Sequence, residues 1–186
     1  MKTLKYLFLF AAVLFAACED SDFTYSKYRN NFRFDNSVHG DATLNSAMNA
    51  QSPGVFCRIS YQLGSKQFLF ANNQGAQTIC RINAVDEERF AKYNQSVGMN
   101  NGLIVGYGNL ADGEFFAYDL MCPNCYDFMS NPRNYPLSMD AAGIASCDNC
   151  HRRYNMNTGG NSLDGGTGMT RYSCNRPQPL GILSVQ

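Results

Sequence analysis

The chain has 186 residues, with 15 basic and 15 acidic side chains and a formal net charge of +0 at pH 7. This balance argues against a nucleic-acid partner, which would require a basic face. With two histidines in the sequence, a histidine-based triad or a multi-histidine metal centre has few residues to draw on. The eight cysteines and 16 glycines are more informative. The length suits one domain with a real core.

The N-terminus has the pattern of an export signal. Lys2 and Lys5 precede an unbroken apolar run over residues 6–17, which is shorter than the roughly 20 residues of a membrane-spanning helix. The small residues directly before Cys18 resemble the lipobox of bacterial lipoproteins. That resemblance implies cleavage of residues 1–17, a lipid on Cys18, and a protein anchored to the bacterial outer membrane or cell surface. An ordinary signal peptide cleaved near Ala17 is the alternative.

The segment that follows is polar and rich in asparagine. We therefore expect residues 18–51 to be the lipidated N-terminus and a tether, in which His39 is solvated. The alternative is that only the first dozen or so residues are tether and that the aromatic residues beyond them lie against the domain. The folded domain is expected to span residues 52–186, because turn residues and then alternating apolar positions begin there.

Alternating patterns predict an all-β domain with antiparallel strands. An acidic start followed by apolar residues predicts one or two helical turns over residues 86–93. The predicted strands cover residues 55–62, 67–70, 78–82, 103–105 and 114–120.

Four cysteines form two tight pairs, Cys122 with Cys125 and Cys147 with Cys150. A C-x2-C turn directs two sulfurs toward one point, and two such turns complete the four-thiolate shell of a tetrahedral ion. The sequence therefore predicts a metal site. We expect nearby aromatic residues to surround the cysteine loops and shield the thiolates from water, with a binding face as the alternative; they are Tyr126, Phe128, Tyr135 and Tyr154. Disulfides remain an alternative in an oxidising compartment.

A second alternative concerns the residue that follows the second pair. Together with His151 that pair spells C-x-x-C-H, the haem attachment motif. Haem would, however, leave the first pair without a role.

The glycine-rich approach to the first pair (102–119) and the segment from the second pair to Tyr172 resemble a Rieske-type domain. This resemblance implies an antiparallel β-sandwich or barrel with a small metal-binding subdomain, here zinc-ribbon-like and covering about 119–172. Rieske domains bind [2Fe–2S] through C-x-H and C-x-x-H motifs. In this chain Asn124 and Cys150 occupy the two histidine positions.

The departure from that motif leaves a Rieske-like scaffold with four thiolates. Zinc is the favoured occupant, since each C-x2-C turn is shaped to chelate one metal ion. A single rubredoxin-type iron and an all-cysteine [2Fe–2S] cluster remain alternatives.

Cys57 and Cys80 lie on two predicted strands, each followed by Arg-Ile. If those strands are adjacent and in matching register, the two cysteines come within reach of a disulfide. Two buried free thiols are the alternative.

Three functions are consistent with these features. The first is a lipid-anchored binding or structural module with a closed zinc site and an unidentified protein partner. The second is an electron carrier with iron and a redox partner. The third, a thiol–disulfide oxidoreductase, is disfavoured because the sequence lacks a βαβ pattern. No catalytic residue is predicted, because the isolated carboxylates near the cysteines lack a partner for acid–base chemistry.

Overall fold

A computed structural model describes residues 25–186, so the expected export signal and Cys18 lie outside the described residues. The structure is built mostly of antiparallel strands with few helices, which confirms the predicted β class. The helices are α1 (Asn36–His39), α2 (Ala42–Ala47) and α3 (Ala84–Tyr93), with a 3-10 turn at Met156–Thr158. The strands are β1 (Phe32–Asp35), β2 (Phe56–Gln62), β3 (Gln67–Asn72), β4 (Gln77–Arg81), β5 (Leu103–Tyr107), β6 (Phe115–Asp119), β7 (Leu137–Met139), β8 (Ile144–Cys147), β9 (Arg153–Asn155), β10 (Asn161–Ser162) and β11 (Ile182–Val185).

The main sheet has five antiparallel strands in the order β4-β3-β2-β5-β6. Its last two strands are buried on both faces, which explains why they read as continuous apolar runs rather than as alternating ones. Alternate residues of these strands therefore enter two different cores. Val105 belongs to the first core and Ile104 to the second.

A smaller four-stranded sheet, β10-β9-β8-β7, lies on the side of the second core. Its strands have only two to four residues each. Strands this short bury little apolar surface and are marginal by themselves. Both cysteine pairs contribute to the second core, so they lie where the small sheet packs against the main one.

Residues 32–51 belong to the fold, and the boundary expected at residue 52 is therefore too late. β1 pairs with β11 along its whole length, and Phe32 and Phe34 are each 1% exposed in the first core. Strand β1 is followed by α1 and α2. The polar residues that suggested a tether have structural roles here: Asp35 and Asp41 cap the two helices by accepting backbone N–H groups.

His39 also differs from expectation. Its ring stacks on Phe34 with a centroid distance of 4.8 Å, and its Nε2 lies 2.8 Å from a carboxylate oxygen of Asp86 in α3. It joins the N-terminal segment to the helix at the far edge of the first core, rather than lying in solvent.

The predicted disulfide between Cys57 and Cys80 is wrong. β3 lies between the strands that carry them, so the two cysteines are not cross-strand neighbours. Their register is also offset, because Cys57 pairs with Asn72 on β3 whereas Cys80 pairs with Phe68. Among residues 25–186 every cysteine is a free thiol. Cys57, Cys80 and Cys174 pack as small apolar groups in or against the first core.

Within residues 25–186, none of the helices combines the length and the apolar character that crossing a bilayer requires.

Candidate metal centre

The approach to the first cysteine pair is fixed by a buried carboxylate at the end of β6. Asp119 is 0% exposed and accepts hydrogen bonds from the backbone N–H groups of Met99 and Met121, each at 2.7 Å, and from the Tyr172 hydroxyl at 2.8 Å. Burial raises the pKa of this carboxyl group, and the three donors oppose that effect. Because Met121 immediately precedes Cys122, Asp119 sets where the cysteine turn begins.

The first turn is closed by its own backbone. The carbonyl oxygen of Cys122 accepts the N–H groups of Cys125 at 3.2 Å and of Tyr126 at 2.9 Å. The N–H of Cys122 donates to the carbonyl oxygen of Tyr135 at 2.9 Å, which ties the turn to the segment leading into β7. Both sulfurs of the pair are thus held on one side of a short, closed loop.

The second turn leaves β8 at Cys147 and has the same form. The carbonyl oxygen of Cys147 accepts the N–H of His151 at 2.9 Å, and its own N–H donates to the carbonyl oxygen of Arg152 at 3.0 Å. His151 adopts a left-handed backbone conformation with φ 60°, which lets the chain reverse directly after Cys150. The His151 side chain is exposed and is not one of the four residues whose ligand atoms cluster.

The two turns face each other and bring the four predicted cysteines together. Cys122 Sγ lies 3.7 Å from Cys150 Sγ, and Cys125 Sγ lies 3.8 Å from Cys147 Sγ. All four sulfur atoms lie within 4.8 Å of one another. With metal–sulfur bonds of about 2.3 Å, the sulfurs of a tetrahedral four-thiolate site are about 3.8 Å apart. The four thiols can therefore hold a metal ion.

One half of the site is buried and the other half reaches the surface. Cys122 and Cys147 are buried in the second core, whereas Cys125 and Cys150 are partly exposed. Burial shields part of the thiolate charge from water, and the exposed side leaves an edge of the site close to solvent.

Polar side chains contact the sulfurs directly. The Tyr154 hydroxyl lies 3.2 Å from Cys122 Sγ and accepts a hydrogen bond from Asn124 Nδ2 at 2.9 Å. Since its oxygen is already accepting, the hydroxyl proton is free to point at the sulfur. Asn149 Nδ2 donates to Cys125 Sγ at 3.2 Å. Such partners orient metal ligands and stabilise their negative charge.

The environment raises some thiol pKa values and lowers another. Burial raises the pKa of Cys122 to about 12 and also raises the pKa of Cys125. Burial acts in the same direction on Cys150, but hydrogen bonds to its sulfur outweigh it. The backbone N–H of Arg152 is the largest of these, and the pKa falls to about 6. In the metal-free protein, Cys150 therefore loses its proton more readily than Cys122.

The glycine-rich segment after β10 braces both turns. Asn124 exchanges two hydrogen bonds with the backbone of Thr167, at 2.8 and 3.1 Å. Arg152 donates from Nε to the carbonyl oxygen of Gly165 at 3.2 Å. At Gly166, where φ is 87°, a Cβ atom would lie 2.6 Å from Asn124 Oδ1. A glycine is required here by both the backbone conformation and the close approach.

Sequence reasoning located the four cysteines but missed most of their supporting residues. Tyr154 was among the aromatic residues expected to surround the loops, and it does contact a sulfur. Phe128, expected in the same role, is 54% exposed and does not shield the site. The roles of Asp119 and Asn124 carried no sequence signal, because a single polar residue beside a loop has many uses.

No protein-family model matches this sequence, and no curated protein is similar to it. The resemblance to Rieske domains therefore rests on the sequence motifs alone.

Proposed function

We propose that this protein is a membrane-anchored lipoprotein whose Rieske-like domain is stabilised by one structural zinc ion and serves as a binding or structural module. The observation that carries the proposal is the compact set of four cysteine sulfurs from two facing turns, all within 4.8 Å of one another. The anchor rests on Cys18 and the sequence before it.

Zinc is favoured by the chemistry of the ligand set. Four thiolates form a closed tetrahedral shell, which is typical of structural zinc and leaves no position for water or substrate. The compactness of the sulfur set also favours one ion over a two-iron cluster, because a bridged pair of irons holds its two cysteine pairs further apart. A hydrolytic role is disfavoured for the same reason, since it needs an open coordination position.

The position of the site supports a structural role. Cys122 follows the last strand of the main sheet, and Cys147 ends the β8 strand of the small sheet. An ion bound to both would cross-link two sheets, of which the smaller is marginal by itself. Metal binding would then contribute directly to the folding free energy of the domain.

A second candidate, a single-iron electron carrier, is favoured by one observation. Cys125 and Cys150 are both partly exposed, so part of the site lies near the surface, which would give electrons a short route to a redox partner. Hydrogen bonds to the sulfurs, such as that from Asn149, would tune the reduction potential of the iron.

Elemental analysis and an absorption spectrum of the full chain, purified without oxygen, separate these functions. One zinc per chain with a featureless visible spectrum supports the structural site and excludes the electron carrier. One iron with sulfur-to-metal bands between roughly 350 and 550 nm supports the electron carrier. Neither metal in the protein contradicts both.

A matched pair of variants assigns the metal to its ligands. Cys147→Ser removes one of the four sulfurs and should abolish stoichiometric metal binding. Cys80→Ser alters a partly buried thiol that packs against the first core, away from the four-cysteine cluster, and should leave the metal content unchanged. Equal metal loss in both variants would show that the metal is held elsewhere.

The anchor has its own test. Mass spectrometry of the mature N-terminus should find a lipid-modified Cys18 as the first residue. An unmodified N-terminus near residue 18 would show that the protein is exported without an anchor.

A further inference from the structure

The described chain begins beside an exposed apolar surface that the metal centre does not use. Four side chains form it, and we call this surface the aromatic face. The aromatic face comprises Tyr25, Tyr28, Phe128 and Met129, whose exposed fractions are 48%, 46%, 54% and 82% respectively.

The two segments of the aromatic face are in contact. The rings of Tyr28 and Phe128 have centroids 6.3 Å apart. A groove of about 470 Å³ adjoins them and extends to the first cysteine turn at Cys125. The two segments of the aromatic face therefore meet at Tyr28 and Phe128, although these residues lie a hundred positions apart in the sequence.

Both segments are held by hydrogen bonds that do not involve their exposed side chains. The N–H of Ser26 donates to the carbonyl oxygen of Arg171 at 2.6 Å, and the Arg171 guanidinium lies 5.5 Å from the centre of the Tyr25 ring. The turn that displays Phe128 and Met129 is closed by two backbone hydrogen bonds between Asp127 and Asn131, at 3.1 and 2.8 Å.

The acidic residue in this turn makes its hydrogen bonds within the turn. The carboxylate of Asp127 accepts the N–H groups of Met129 and Ser130 and the Ser130 hydroxyl, so it serves the turn itself. Two cations flank Tyr28 in the sequence, Lys27 and Arg29, and Arg29 lines a groove together with Tyr28 and Phe128. The aromatic face thus combines apolar tips, tyrosine rings and basic residues, the combination found at membrane–water interfaces.

The length of chain before Tyr25 determines which surface can cover the aromatic face. Seven residue steps separate Cys18 from Tyr25, and whatever their conformation they span at most about 25 Å. A domain of this length has an expected radius of gyration of about 15 Å, which corresponds to a diameter of about 40 Å. With a lipid on Cys18, the side of the domain opposite to Tyr25 therefore cannot reach the bilayer.

We propose that the aromatic face rests on the lipid surface, with Phe128 and Met129 inserted at the level of the headgroups. This inference depends on the proposed lipid anchor at Cys18. The anchor holds the domain at the membrane, and the aromatic face fixes its orientation. The groove beside Cys125, and with it one edge of the four-cysteine site, then lies close to the bilayer.

Tryptophan fluorescence tests this orientation, because the natural chain contains no tryptophan. The full chain, lipidated in a bacterial host, is reconstituted into phosphatidylcholine vesicles with or without bromine on the acyl chains. The Phe128→Trp variant reports from the aromatic face, and Met129→Trp provides an independent reporter. The matched control is Val38→Trp, whose position is 63% exposed in α1, beyond the end of β1 distal to Tyr28.

We expect both reporters on the aromatic face to be quenched by brominated lipid roughly twofold or more, and Val38→Trp to be unaffected. If the protein sediments with the vesicles but all three variants are quenched equally, or none is, the proposed orientation is wrong while the anchor stands. If the protein does not sediment with the vesicles, both the anchor and the orientation are overturned.

Discussion

The hydroxyl of Tyr154 lies 3.2 Å from the sulfur of Cys122, in the buried half of the four-cysteine site. Burial, followed by the hydrogen bond to this sulfur, raises the pKa of Tyr154, so the hydroxyl keeps its proton and can donate it. A thiolate at Cys122 is thereby stabilised where water is excluded.

The Tyr154→Phe variant should therefore bind metal more weakly by about 10-fold or more, the usual effect of losing a partner of a metal ligand. Competition with a chromophoric chelator measures this affinity. Tyr135→Phe is the control, because its hydroxyl contacts Asn131 and not a sulfur. Equal affinities of the two variants would mean that the contact with Cys122 does not stabilise the thiolate.

Metal affinity should fall as the pH falls. Cys122, with a pKa of about 12, and Cys125, with a raised pKa, are protonated in the free protein at neutral pH and must lose their protons to bind. Each such thiol lowers the affinity about tenfold per pH unit. Cys150, with a pKa of about 6, adds to this dependence only below that pH. Chelator competition at several pH values checks the slope, and a flat profile would contradict thiolate ligation.

Two neighbouring glycines allow the brace of the site to be tested with an internal control. Gly165 and Gly166 both have positive φ, at 80° and 87°, so alanine at either position should cost about 1–2 kcal/mol in backbone strain. A Cβ atom added at Gly165 would have no atom within 4 Å, whereas one added at Gly166 would lie 2.6 Å from Asn124 Oδ1. Gly166→Ala should therefore also weaken metal binding, and Gly165→Ala should not. Matching metal affinities would show that Asn124 does not position the first turn.

The buried carboxylate of Asp119 offers a stability test. In Asp119→Asn the amide oxygen can replace only one carboxylate oxygen, so an NH2 group must face either the N–H of Met121 or the donors Met99 and Tyr172. Leaving such a donor unpaired should lower the free energy of unfolding by about 1–3 kcal/mol. Urea denaturation measures the change. Asp112→Asn, at an exposed turn, should be near neutral, and a neutral result at residue 119 as well would contradict this role.

The N-terminal segment is part of the core rather than a tether, and one phenylalanine tests this. Phe34 packs against Phe68 and Phe70, with ring centroids 5.3 and 5.2 Å away. Phe34→Ala should cost about 3–5 kcal/mol in the free energy of unfolding. Val38→Ala, at an exposed site, should cost little. A small effect at both positions would mean that residues 32–51 dock only weakly on the sheet.

The main sheet and the cysteine turns were predictable because their signals are local. Strand β2 alternates apolar and polar residues from Cys57 onward, and each C-x2-C pair fixes its own geometry within four residues. The role of β1 was not predictable in this way. Its two phenylalanines are recognisable as core residues only from the pairing of β1 with β11, about 150 residues later. The asparagines around them have the composition of a linker, and their hydrogen bonds are not evident from the sequence.

The prediction of a disulfide was wrong for the same reason, because it also depended on contacts between distant parts of the chain. The sequence places Cys57 and Cys80 on strands with similar patterns, but it does not say which strands are neighbours. Adjacency depends on how β3 is inserted between them, and this follows from the two hairpins β2–β3 and β3–β4. A pattern within one strand carries no information about the register between strands that are not paired.

The pairing of β1 with β11 has a consequence for the order in which the chain can fold. β11 includes residues 182–185, which are synthesised about 150 residues after β1. The two-stranded sheet that covers the first core therefore cannot close until residues 182–185 have been synthesised. The four cysteines, in contrast, span residues 122–150 and can meet while the C-terminal strand is still missing. Strand β1 thus stays unpaired until β11 is made, although the main sheet and the metal-binding segment are already complete by then.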